Sequence, residues 1–497
     1  MSKRTGIILL LPILAAVALF AAKFARPERP KDEIADHLSF AVRCGGRELT
    51  IMPWRESEKN YFVFLPAFAD TEAVVSTADR SFDLDGRPLR PGDSLKDVKP
   101  ETTYVLQGES GERNLITFVK SSKTAALFVD TQTGALNRLH QRKENREDAR
   151  ITLVTSDGMV DYAGETDERI GGRGNTTWVH AKKPYNLRLY SPASLLGMAS
   201  ARNYVLLSNP MDMSNLRNKT VLDFAGKTKL PYTPRCEFVD LYLNGNYRGL
   251  YLLTEKIDGA EGKPDLASPP DGLLFEVGYN VAPTPPYFTT KMNRVCSVSY
   301  PKRLTEERMN DAAEKVQSIE NAFKNGAEIP KVFDLDSAVR RFLIDVIFIN
   351  ADGDRISSFY FLKGGKIYSG PVWDCDLSLG CALDEWTVAL QNPERFEITG
   401  NWYPLFYKHP VFNARLRELY ASEFRPLLGE LLNKNFDAAS IGVADSNRLN
   451  YIRWKRTYEG QNQRLCNPPQ NSEEDIAYIR SFIEKRIKFL YTLWLDQ

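Results

Sequence analysis

In GPVWDCDLSLG, Gly370 to Gly380, Asp374 and Asp376 stand one residue apart at the end of a run that reads as a strand. In an extended segment residues i and i+2 point the same way, so both carboxylates leave one face, with Trp373 and Cys375 on the other. Two hard oxygen ligands suit Mg²⁺ or Mn²⁺, which takes one or two carboxylates and completes its shell with water and phosphate oxygens. A D-x-D is common by itself, and aspartates after a strand also serve as plain turn residues. The surrounding sequence decides between the two.

Three other stretches could meet this pair. In INADGDRISSFYF, Asp352 follows a helical run and stands about twenty residues before Asp374. Between them, SFYFLKGGKIYSGPVWD reads as two strands joined by Gly364-Gly365. Protein kinases have the same order of parts: a catalytic-loop aspartate, a polar metal ligand a few residues on, then a metal-binding aspartate after a short hairpin. The D-x-x-x-x-N spacing of that loop puts Ser357 at the amide position. In GGRGNTTW, Gly171, Gly172 and Gly174 permit unusual backbone angles and close approach of main-chain N–H groups to phosphate; a plain turn is the simpler use. In AKKPYNLRL, if Tyr185, Leu187 and Leu189 face the core, alternation puts Lys183 inward and Lys182 outside. An inward lysine needs an anion, a nucleotide phosphate or a carboxylate such as Glu255 in LLTEKI, unless its ammonium snorkels to solvent.

The elements that must position these groups divide into a β-rich and an α-rich half. Short alternating segments (LSFAVR, NYFVFLP, AVVSTA, TTYVLQ) separated by turns predict a small β-sandwich over residues 35–112. More strands follow from about Ile116, including FVDLYLNGNYRGLYLLT, where Asn-Gly predicts a tight primed hairpin turn. From about Thr305 the apolar spacing becomes helical, and Asp334 or Asp336 is placed to cap DLDSAVRRFLIDVIFIN. The plan is α+β, with the acidic motifs at the junction of the halves.

The chain has 497 residues, 43% hydrophobic and 26% charged, which fits two or three globular domains. A net charge of +1 argues against a nucleic-acid platform. Six scattered cysteines, no C-x-x-C and four histidines argue against a zinc site, and the spacing fixes no disulfide pairing. At the N-terminus Lys3 and Arg4 precede an uncharged, mostly apolar run from Gly6 to Ala22, followed by Lys23 and Arg26. That pattern predicts an export signal or signal anchor over residues 1–30, membrane attachment through it, and the remainder outside the cytoplasm in the cell envelope.

Five ordered blocks (GRGNTTW…KKPYNLRL, NYVLLSNPMDMSNLRNK, VDLYLNGNYRGLYLLTEKI, NADGDRISSFYF and GPVWDCDLSLG) resemble the CotH-like kinase family, from about Ala126 to Trp494. The resemblance implies an atypical protein-kinase fold over residues 116–497, with a β-rich N-lobe to about residue 300 and an α-rich C-lobe beyond. It also implies binding of ATP with Mg²⁺ or Mn²⁺ and phosphorylation of Ser or Thr on a protein substrate, here a surface or envelope protein. Asp352 takes the catalytic role, Asp374 the main metal ligand, and Asp376 and Ser357 lie beside it. Gly172, Arg173, Gly174, Lys183 and Glu255 fall on the nucleotide side. Other members of the family are described as surface or coat components, some with no activity shown, so a scaffold that binds a protein or glycan partner is the alternative. A metal-dependent hydrolase using the same acids is a third.

Overall fold

The structure, a computed structural model, describes residues 34–69, 73–259, 266, 271–279, 284–382, 387–462 and 468–496. Residues 1–30, where an export signal or signal anchor is expected, and Cys466 lie outside them. Among the described residues no helix is long and apolar enough to cross a membrane. The five described cysteines are free and buried.

The architecture is mixed α+β. At the N-terminal end, a three-stranded sheet centred on Leu38–Cys44 and a six-stranded sheet bury one shared apolar cluster, with Phe40, Val42, Val63 and Phe118 at its middle. Strand Arg113–Lys120 lies inside the second sheet, parallel to Asn60–Leu65 and antiparallel to Thr102–Gly108. The boundary expected between residues 112 and 116 therefore falls inside a strand, because the Gly111 turn closes a hairpin instead of ending a unit.

Seven strands, from Ala125–Thr131 to Asn246–Glu255, close into a barrel by parallel pairing of the first with Cys236–Leu243. Period-two alternation explains how one strand serves two cores. Tyr251 and Leu253 fill the barrel with Tyr185, Leu187 and Leu189, while Leu250 and Leu252 face the C-terminal core. On another outer face Phe128 and Tyr242 stack at 4.5 Å and join the N-terminal cluster. The expected Asn-Gly turn is present, with Asn244 at φ 50° and Gly245 at φ 71°.

Strands Leu273–Tyr279, Tyr287–Thr289 and Arg294–Tyr300 do not join the barrel. They form a five-stranded sheet with Ser358–Lys363 and Lys366–Ser369, so a division near residue 300 would split a sheet. Helices Glu306–Ala322, Leu335–Phe348, Pro410–Leu419, Phe436–Asn462 and Ser472–Leu495 pack around it. Asp334, not Asp336, caps Leu335–Phe348 by accepting from Ser337 N at 2.8 Å. Asp336 instead pairs with Arg340 and Arg415.

Candidate functional site

Helix Leu335–Phe348 ends at Ile349, which takes left-handed backbone (φ 46°), and the chain turns into the loop that carries Asp352. Two backbone bonds fasten this region to the D-x-D segment: Ala351 N donates to Leu377 O at 3.0 Å, and Leu379 N to Phe348 O at 2.7 Å. A third anchor comes from helix Leu216–Lys227, where the Asn218 side chain accepts from Cys375 N at 2.9 Å. The two acidic stretches are thus brought together by main-chain contacts as well as by the connecting hairpin.

Strand Lys366–Ser369 ends before the D-x-D, and Asp374 itself is left-handed (φ 60°). The expected strand alternation therefore does not hold across the pair, since a left-handed residue turns the chain between the two acids. Cys375 is buried, while Trp373, Asp374 and Asp376 are half-buried.

Asp374, Asp376 and Asp352 nevertheless act on one another electrostatically. Burial pushes Asp352 up to about 7, with Asp374 adding to the rise and Arg355 opposing it. Burial likewise pushes Asp376 up to about 8, reinforced by Asp374 and then Asp352. The Ser357 hydroxyl donates to Asp374 Oδ2 at 2.9 Å, and Ser357 N donates to Glu276 Oε1 at 3.1 Å. Burial and the Asp374 charge both raise Glu276. Arg173 supplies positive charge: burial lowers its pKa, while Asp374 and Asp376 oppose that, and its guanidinium lies 5.6 Å from the Trp373 ring centre. Among the described residues, five of the twelve non-glycine positions with positive φ fall between residues 349 and 379 (Ile349, Asp354, Ser357, Asp374 and Leu379), a concentration of backbone strain around the acids.

Asp354, two residues from Asp352, does a different job. It is 1% exposed and accepts from Tyr360 Oη, Trp402 N and Tyr403 N at 2.7, 2.8 and 2.9 Å. Its carboxylate is consumed by structure, which leaves Asp352 as the available acid of the loop.

The remaining expected site residues are placed differently. Lys182, not Lys183, is the buried lysine: it is 1% exposed and donates to Leu250 O at 2.6 Å. The regular strand begins only at Tyr185, so alternation cannot be extended back through Pro184. Lys183 is half-buried, donates to Trp178 O at 2.6 Å, and is lowered to about 8 by burial and by Arg248. Glu255 accepts from Ala199 N and Arg235 N at 2.9 and 3.1 Å. Gly171 and Gly172 pair within the barrel, opposite Asn186 and Tyr185. A Cβ on Gly172 would lie 2.5 Å from the Trp178 ring, and Gly174 holds φ 76°, so close packing and turn geometry account for these glycines.

Sequence reasoning does not reach Glu276 or Asp212. Asp212 contributes to the rise at Asp376 and forms a buried ion pair with Arg217 at 2.7 Å, which Asp475 shares at 2.7 Å. Asp212 lies in the NPMDMSNLRNK block, whose density of polar residues ahead of a helix is the available signal.

Among the described residues no group of three or more His, Cys, Asp or Glu is arranged to hold a metal ion. By donor type alone, the Asp374 and Asp376 carboxylates and the Ser357 hydroxyl are the hard oxygen groups that an ion such as Mg²⁺ would take.

These features define an α+β protein with an acidic cluster beside its barrel. A family model described as CotH kinase protein matches residues 170–490, and the chain belongs to that family. Inner spore coat protein H of Bacillus subtilis (strain 168) is 28% identical over 227 residues, 43% of this chain and 59% of that protein. The match thus spans less than two-thirds of the length of that relative.

Proposed function

We propose that this protein is an exported or envelope-anchored atypical kinase that transfers the γ-phosphoryl group of ATP to Ser or Thr of a protein substrate. The observation that carries the reading is the convergence of Asp352, Asp374 and Asp376, with Ser357 holding Asp374. Asp374 and Asp376 would hold Mg²⁺ or Mn²⁺, which when bound supplies charge compensation for the phosphoryl group. Asp352 orients the substrate hydroxyl and accepts its proton as the new O–P bond forms and the bond from the γ-phosphorus to the β,γ-bridging oxygen breaks, with ADP leaving. Arg173 offers a cation beside the acids. Catalysis of this kind is mainly positioning and electrostatics.

The second reading is a weakly active or inactive scaffold of the same fold. One observation favours it: Lys183 contacts Trp178 and lies near Arg248, and among the described residues it makes no ion pair with the acids. The test is transfer of labelled phosphate from ATP by the full-length chain with Mg²⁺ or Mn²⁺, into itself or a mixed protein substrate. Incorporation that Asp352→Asn reduces by about 100-fold or more supports the kinase. Incorporation unchanged by Asp352→Asn, or absent with a folded protein, supports the scaffold.

A further inference from the structure

A cavity of about 900 Å³ lies away from the acids, where the N-terminal sheets, the barrel and helix Phe436–Asn462 meet. Its size falls within the range of about 300–1,000 Å³ usual for small-molecule sites. The wall carries Trp54, Phe62, Tyr451 and Trp454, with the polar groups of Asn60 and Thr103 between them.

Arginines are layered against these rings. The Arg453 guanidinium lies 4.6 Å from the Trp54 ring centre and 4.3 Å from that of Trp454, and Arg248 lies 5.1 Å from Trp454. Arg248 lines the cavity and is 8% exposed, and among the described residues no carboxylate forms an ion pair with it. The acids of the wall are paired with cations of the same wall, Glu56 with Arg456 at 3.2 Å and Glu459 with Lys455 at 4.0 Å, which leaves Arg248 and Arg453 as further positive charge on it. A mostly buried guanidinium without a carboxylate partner favours an anion, and its planar fork matches carboxylate or phosphate.

We propose that this cavity binds an anionic saccharide, with Arg248 receiving its carboxylate or phosphate and the Phe62 and Tyr451 rings packing against the sugar. Neutral polar groups beside aromatic faces suit a hydroxylated ring better than a purely apolar ligand. The proposal is independent of the kinase reading, because none of its residues belongs to the acid cluster.

The test is calorimetric titration of the full-length chain with trigalacturonate, mannose 6-phosphate and neutral maltotriose. The expected result is binding of an anionic sugar roughly tenfold or more tighter than maltotriose, weakened by a similar factor in Arg248→Gln. The two anionic probes separate carboxylate from phosphate recognition. Thr103→Trp, which fills the cavity from an exposed strand position, should also abolish binding and serves if Arg248→Gln does not fold. No anionic binding by the folded protein, no preference over maltotriose, or binding that folded Arg248→Gln or Thr103→Trp leaves unchanged would overturn the proposal.

Discussion

The Ser357 hydroxyl donates to Asp374 Oδ2 at 2.9 Å, and both residues hold left-handed backbone, φ 54° and 60°. Ser357→Ala removes the bond and keeps the strain, for an expected loss of about 1 kcal/mol. Ser357→Gly also removes the bond but relieves a left-handed cost of roughly 1–2 kcal/mol. Urea denaturation should therefore rank Gly at least as stable as Ala; the reverse order would contradict the strain argument.

Asp352 and Asp354 should separate function from folding. Asp354→Ala leaves three buried donors without their acceptor and should destabilise the protein by roughly 2–4 kcal/mol. Asp352→Asn removes a charge that burial and Asp374 already disfavour, so its stability should equal or exceed that of the unchanged protein. Thermal melts of the two variants check the contrast.

Arg217 ties Asp212 to Asp475 on the C-terminal helix and reaches Ser378 O at 3.2 Å. Arg217→Met leaves two buried carboxylates facing each other, and the expected loss is about 3–5 kcal/mol. A loss below about 1 kcal/mol in denaturant would contradict the role of this network.

Asp240 gives a pH signature. Burial raises it to about 6 despite bonds from Tyr247 and Ser446 at 2.8 Å each. A carboxyl raised in the folded state binds its proton more tightly there, so its contribution is present below about pH 4 and is lost as pH rises through about 6. Between those values the unchanged protein should lose stability relative to Asp240→Asn, by on the order of 2–3 kcal/mol. Parallel pH curves would contradict the assignment.

The order of the acids is legible in the sequence because Asp352, the Gly364-Gly365 hairpin and Asp374 are close along the chain. The Asn244-Gly245 turn is legible because its chemistry is local. Lys182 and Lys183 exchange places because alternation does not carry through Pro184 into irregular chain. Only long-range pairing brings Glu276 and Asp212 to the acids, so neither stands out in its own segment. The pairing of Leu273–Tyr279 with Ser358–Lys363 spans intervening helices and leaves no local signal.

The most direct measurement is calorimetric titration of ATP into the full-length chain with Mg²⁺, with Mn²⁺ and with chelator, repeated on Asp374→Ala. The account predicts metal-dependent binding that the substitution abolishes. No binding at millimolar ATP by a folded sample, or binding indifferent to both metal and Asp374, would contradict it.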